Sequence, residues 1–188
     1  MVAAKHFKDL ERPLKEEDFW ALPDDEHRYE IILGELFVAP PPSFRHQDIS
    51  AEIAGHVRDV IRPMKLGKVV TAPVGLRLAD TTIVQPDLMF VSLERRGIVQ
   101  GIRVVGTPDL IMEALSSNRS YDLVKKRETY RTLGVPEYWI VDPKNELIEV
   151  LGLVEGQYEQ IPVIDGIAAS AVLPGPRIDI AELFASIW

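Results

Sequence analysis

The apolar residues of this chain change period between Ile49 and Ser92, and that change limits the fold more than any other feature. Ile49, Ile53, Val57 and Val60 recur at spacings of four, four and three, which lines one face of a helix. Ser43 stands where an N-cap belongs, so the pattern predicts a helix from Ser43 to about Ile61, stopped by Arg62-Pro63. From Lys68 the pattern becomes KVVTAP, VGLRLAD and IVQPDLMFVS, three short β-rich runs separated by turn residues. In the second run Leu76 and Leu78 face one way and Arg77 the other. A chain that switches from helical to strand periodicity in this way is mixed α/β, with few helices around a central sheet.

The remaining segments fit that class. Tyr29 to Ala39 reads YEIILGELFVA, a hairpin turning at Gly34-Glu35 and broken by Pro40, Pro41 and Pro42. Glu94 to Gly106 reads as a loop with a basic bias from Arg95, Arg96 and Arg103. LIMEAL, Leu110 to Leu115, is a buried strand. Ser120 caps a helix from Tyr121 to Leu133 that Gly134 closes. EYWIVDP is a further strand, followed by a turn over Asp142-Pro143-Lys144-Asn145. Leu147 to Leu153 and Tyr158 to Val163 form a C-terminal β-meander, and IAELFASIW a short amphipathic helix. Residues 1–28 are highly charged, an N-terminal arm or short helix with Glu16, Glu17 and Asp18 before Phe19 and Trp20. Residues 29–188 are then expected to form a single domain.

Composition narrows the function. There is no cysteine among the 188 residues, so neither a disulfide frame nor a thiolate zinc site is available. The first residues hold no apolar h-region, and no apolar run is long enough for a membrane span. A cytoplasmic protein without membrane contact is expected. Net charge is -8, and residues 132–188 carry 9 acidic against 2 basic side chains, so -7 of it lies there. The first 131 residues are close to neutral, with 20 acidic and 19 basic, which leaves room for a local basic face. HExxH, GxSxG, P-loop and GxGxxG motifs are all absent, which leaves metalloprotease, serine-hydrolase and nucleotide-binding readings without support.

Asp87 and Glu113 are the first candidates for chemistry, each a lone acid inside an apolar strand, IVQPDLMFV and LIMEALS. A buried carboxylate is costly unless paired or bound to metal. Two such strands side by side bring two carboxylates to one point, as a hard cation such as Mg²⁺ requires. The ordinary alternative is a pair of structural ion pairs. Asp122, Lys126 and Tyr130 follow at i, i+4 and i+8, on one face of the next helix. That face can overhang the end of the Glu113 strand; taken alone it reads as a surface ion pair worth about 0.3–0.5 kcal/mol. His46, in the first turn of the long helix, suits a phosphate contact or proton transfer, although a lone histidine there is more often structural or solvated. Glu30 and Glu35 flank the hairpin turn; Glu35 is a candidate further metal ligand and Glu30 the alternative.

Together the stretches YEIILGELFVAPPPSFRHQ, VVTAPVGLRLADTTIVQPDLMFVS, GTPDLIMEALS and SYDLVKKRETYRTLGVPEYWIVDP resemble a bacterial restriction-endonuclease-like family of the PD-(D/E)XK nuclease superfamily. The pattern D-x3-K-x3-Y-x3-G-V-P-E-Y-W-x-V-D-P is the specific part; Pro-Asp alone, which occurs twice, is weak. The resemblance implies a restriction-endonuclease-like mixed central sheet flanked by helices. It implies that Asp87 matches the superfamily's metal-binding Asp and Glu113 the acid of (D/E)XK. The lysine slot two residues later holds Leu115, and Lys126 on the following helix is its substitute. The implied activity is a Mg²⁺-dependent endonuclease, Mn²⁺ substituting, with DNA as the expected substrate and a homodimer as the expected assembly. Asp87, Glu113 and Lys126 are its expected catalytic residues, and Asp87, Glu113 and Glu35 its metal ligands. Asp122 and Tyr130 would support them, and His46, Arg95, Arg96, Lys125 and Arg127 would contact nucleic acid. A catalytically inactive binding or assembly module on the same fold is the alternative.

Overall fold

Strand alternation sorts the apolar side chains of this chain into layers, and the layers determine where its acids go. In chain order the strands are β1 (Arg28–Ile32), β2 (Glu35–Ala39), β3 (Gly67–Thr71), β4 (Gly75–Ala79), β5 (Thr82–Val84), β6 (Leu88–Ser92), β7 (Val99–Gln100), β8 (Arg103–Val105), β9 (Leu110–Ala114), β10 (Glu137–Asp142), β11 (Leu147–Val154), β12 (Gln157–Ile161), β13 (Ile167–Ala169) and β14 (Arg177–Asp179). The computed structural model describes residues 12–115 and 121–188, without the side chains of residues 121–123. The strands make two six-stranded sheets, β2-β1-β5-β4-β8-β7 and β12-β11-β10-β9-β6-β3, and β13 pairs with β14 apart from them. Both large sheets are mixed: β4 runs parallel to β8 and β9 to β10, and the other neighbours are antiparallel. The expected mixed α/β fold is present, with its strands divided between two sheets.

Strand β9 shows how the layers form. Leu110, Met112 and Ala114 point to a cluster with Ile49, Ile53, Val57 and Ile61 of the long helix Phe44–Met64. Ile111, and Leu115 just beyond the strand, point the other way, to Ile32, Leu76 and Val84 of the first sheet. The second sheet is therefore covered by helix on one face and by the first sheet on the other. Glu113 is in step with Ile111 and Leu115 and so faces the space between the sheets. The outer face of the first sheet packs Tyr29, Ile31 and Ile83 against Leu14 and Phe19, the latter from the short helix Glu16–Trp20. Each fully buried Ile or Leu in these layers contributes about 1.5–3 kcal/mol.

Local differences from the sequence pattern have physical causes. The first hairpin turns at Leu33-Gly34 rather than Gly34-Glu35, because both positions adopt positive φ, 52° and 82°, as a two-residue turn between twisted strands demands. The long helix passes Pro63 and ends at Met64, capped by Lys65 at φ 55°. A proline so near the end forfeits one backbone bond in a turn that was about to stop. The run IVQPDLMFVS is split between β5 and β6, joined through Gln85, Pro86 and Asp87. The segment expected as a basic loop, Glu94 to Gly106, contains a 3-10 turn, Arg96–Ile98, and strands β7 and β8. The expected Tyr121–Leu133 helix is π-helical over Tyr121–Lys126 and α-helical over Arg127–Thr132. Ser120, its expected cap, lies outside the described residues. The meander is present as β10, β11 and β12, and the short C-terminal helix spans Ile180–Ser186. Among the described residues no helix is long and apolar enough to cross a membrane.

Candidate active site

The antiparallel register of β6 and β9 places two carboxylates opposite each other. Leu88 lies across from Met112, so the next position out sets Asp87 against Glu113. The Ala114 amide donates to Asp87 Oδ2 at 2.9 Å, fixing the acid at the mouth of the strand pair. Strand β1 of the other sheet faces the same space with Arg28, Glu30 and Ile32 on one side of its pleat. Arg28 Nη1 meets Asp87 Oδ1 at 2.9 Å, and the Gln85 amide donates to Glu30 Oε1 at 2.9 Å. The site is therefore an inter-sheet site, with Glu113 of β9 and Asp87 just before β6 on one side and an Arg-Glu pair of β1 on the other.

The amine arrives from the π-helical segment. Lys126 Nζ lies 2.9 Å from Glu113 Oε1 and 3.1 Å from Glu30 Oε2. Tyr130 donates its hydroxyl to the same Glu113 oxygen at 2.6 Å. Asp87, Glu113 and Lys126 are only 3%, 3% and 4% exposed, so these charges act on one another with little solvent between them. A π turn is wider than an α turn, and such turns recur at functional sites. Leu115, in the expected lysine slot, is buried in the inter-sheet core and lines the cleft.

His46 completes the cluster. Ser43 caps the long helix by accepting from the His46 amide at 3.3 Å, and the imidazole Nε2 lies 3.0 Å from Asp87 Oδ2. That nitrogen, although buried, makes no aligned hydrogen bond. These residues open onto a cleft of about 470 Å³ rimmed by Pro40, Pro41, Pro42 and Pro143.

Burial and charge pull the two acids apart. Burial alone would raise the Asp87 carboxyl, but His46, Arg28 and Lys126 together hold it well below the usual carboxylate range. Burial pushes the Glu113 carboxyl up to about 7, Asp87 and Glu30 adding to the rise and Lys126 opposing it. Burial disfavours the Lys126 ammonium, yet Glu113, Glu30 and Asp87 raise its pKa, so the amine stays protonated. Lys126 is thus a buried positive charge held between two carboxylates.

The donor set suits one kind of cation. Among the described residues no three His, Asp or Glu side chains form a ready-made metal cage. Two facing carboxylates are nevertheless what Mg²⁺ takes from a protein when waters and phosphate oxygens complete its shell. Lys126 and Tyr130 both meet Glu113 at Oε1.

The other expected residues are placed as follows. Glu35 does not line the cleft; it is exposed on β2 and pairs with Lys125, because the turn at Leu33-Gly34 sets it beyond the inter-sheet space. Glu30, the alternative to it, faces inward on β1, lines the cleft and meets Lys126. Lys125 lies over the Phe37 ring at 4.7 Å, and Phe37 lines the cleft, so this lysine stands at its edge. Arg95 and Arg96 lie at the opposite end of β6 from Asp87, about 17 Å along the strand, and Arg95 pairs with Asp109 at 3.3 Å. They are not brought to the cleft, because the chain leaves β6 at the end of the strand remote from Asp87. Arg127 pairs with Glu149 at 3.6 Å and does not line the cleft. The Asp122 side chain lies outside the described residues. Arg28 was not anticipated. The signal for it was the alternation Arg28-Glu30-Ile32, a polar strand face continuing into a buried isoleucine.

Comparison with known proteins bears on the fold and the family. A crystal structure from Anabaena variabilis ATCC 29413, described as a "putative nuclease belonging to DUF820", superposes with a TM-score of 0.76 at 20% identity, covering 92% of this chain and 98% of that one. At that identity the likeness shows the fold. No curated protein matches. The family Uma2, described as "Putative restriction endonuclease", matches residues 16–181. That match spans both sheets and every residue of the cleft, and this chain belongs to the Uma2 family.

Proposed function

We propose that this chain is a divalent-metal-dependent endonuclease that hydrolyses phosphodiester bonds of DNA. The carrying observation is the convergence of Asp87, Glu113 and Lys126, from three separate elements, on one buried point at the cleft. The family's description supports the reaction class. Asp87 and Glu113 would hold Mg²⁺, or Mn²⁺ in its place. When bound, such an ion polarises a phosphate oxygen and acidifies a water. Lys126 holds a positive charge toward the phosphate, where negative charge develops. Glu30 and Tyr130 keep that amine and Glu113 in register. Arg28 and the Ala114 amide fix the rotamer of Asp87, and His46 stands at the cleft where a leaving oxygen needs a proton. The reading has two copies acting on a duplex, one site for each strand.

Supercoiled plasmid supplies the test. Nicking is expected with Mg²⁺ or Mn²⁺ and not with EDTA, and Asp87→Asn or Glu113→Gln is expected to lower the rate by about 10²–10³-fold or more. Equal nicking by both variants and the parent chain removes the proposal.

One observation favours a second reading. Both Asp87 oxygens and one Glu113 oxygen are already engaged by Arg28, His46, Ala114, Lys126 and Tyr130. A self-paired cluster of this kind also serves as the keystone of an inactive binding module. Calorimetry with Mg²⁺ and Mn²⁺ separates the two, since that module takes up no ion.

A further inference from the structure

A second groove, of about 610 Å³, lies at the end of β6 remote from Asp87. Arg58 and Arg62 on the long helix, Lys65 at its cap, Lys68 on β3 and Arg96 on the 3-10 turn line it. No Asp or Glu is among its lining residues. None of the five cations has a carboxylate partner among the described residues, whereas Arg45, Arg77, Arg95, Arg103, Arg127 and Arg131 each have one. In a chain of net charge -8, five cations around one groove without a carboxylate partner among the described residues are a local reversal of sign. The helix dipole accounts for Arg62 and Lys65 near a C-terminus. It does not account for Lys68 or Arg96, which come from two other elements.

We propose that this groove is a track for the phosphodiester backbone of duplex DNA, separate from the catalytic cleft; the choice of polyanion rests on the nuclease reading. Arg58, Arg62 and Lys65 follow one another at i, i+4 and i+7, about 10 Å along the helix. That is the axial span of about three phosphates on one strand. A symmetric contact with a second copy is disfavoured there, since the five cations would meet themselves. Arg96 keeps its expected role as a phosphate contact, but here rather than at the cleft.

The test is fluorescence anisotropy with a labelled DNA duplex in EDTA, titrated over a series of salt concentrations, so that no cleavage enters. Arg62→Glu with Lys68→Glu is expected to reduce the slope of log Kd against log salt by about 2, one phosphate contact for each side chain. Lys15→Glu with Arg177→Glu makes the same change in net charge on other faces and is expected to leave the slope unaltered. Arg58→Gln with Arg96→Gln, on two different elements, repeats the reading without charge reversal. Equal slopes for groove and control variants overturn the proposal. So does an unchanged slope accompanied by a change of mass in light scattering, which assigns the groove to a protein partner. A slope that falls in a chain that never nicks DNA keeps the groove and removes the nuclease reading.

Discussion

At the scale of single residues, a buried acid alone does not make a site. Glu137 of β10 is fully buried too, yet it accepts from Trp139 Nε1 at 2.7 Å and from the amides of Ala171 and Val172 at 2.7 and 3.1 Å, and it lies outside the cleft. Asp87 and Glu113 differ because each lies across from the other and opens to a cleft. Removing Lys126 tests this cluster as structure: Lys126→Met takes away the ammonium that Glu113 and Glu30 share and is expected to cost about 3–5 kcal/mol in urea unfolding. The pH dependence has a definite sign. Between the ordinary Glu value of 4.5 and about 7, the folded chain holds a proton on Glu113 that the unfolded chain has lost. Its contribution to stability therefore falls as pH rises through that window. Asp87, with its pKa lowered, contributes above the unfolded carboxylate value and loses that contribution as pH falls. Stability measured at about pH 5 and pH 8 should then favour Glu113→Gln over the parent chain by a margin that grows with pH, on the order of a few kcal/mol. A margin that shrinks with pH contradicts the raised carboxyl. The two acids were legible in the sequence because each interrupts an apolar run. Arg28 was not, because its partner Asp87 lies 59 residues away and is met only when the two sheets pack.

At the scale of elements, the turn before β2 and the cap of the long helix aim the site. Gly34 adopts φ 82°, and a Cβ there would approach Pro13 Cβ to 2.6 Å. Gly34→Ala is expected to destabilise by about 1–3 kcal/mol, read as a lower urea midpoint, because strain and contact with the Pro13-Leu14 segment add. Ser43→Ala removes the N-cap that orients His46 and is expected to cost about 1 kcal/mol. Apolar periodicity made the helices and the meander legible. It could not show the π turn over Tyr121–Lys126, since a wider turn leaves the same residue types in the same order. Nor could it separate β7 and β8 from loop, as strands of two and three residues are too short to alternate.

For the whole molecule, the division into two sheets creates the inter-sheet space from which the site opens. Apolar patterning showed the class and the longer strands but not β7, β8, β13 or β14, and assignment of strands to sheets depends on long-range pairing, such as β4 beside β8 and β9 beside β10. Charge is also organised at this scale. The acidic third of the chain, residues 132–188, supplies the meander, while the basic groove comes from residues 58–96. The central claim is that Asp87 and Glu113 share one divalent ion. Anomalous diffraction from a crystal soaked in Mn²⁺ tests it most directly. A peak about 2.1 Å from an oxygen of each carboxylate is expected, and its loss in Glu113→Gln. No peak at that point, or one held by other residues in the parent chain, would contradict the account.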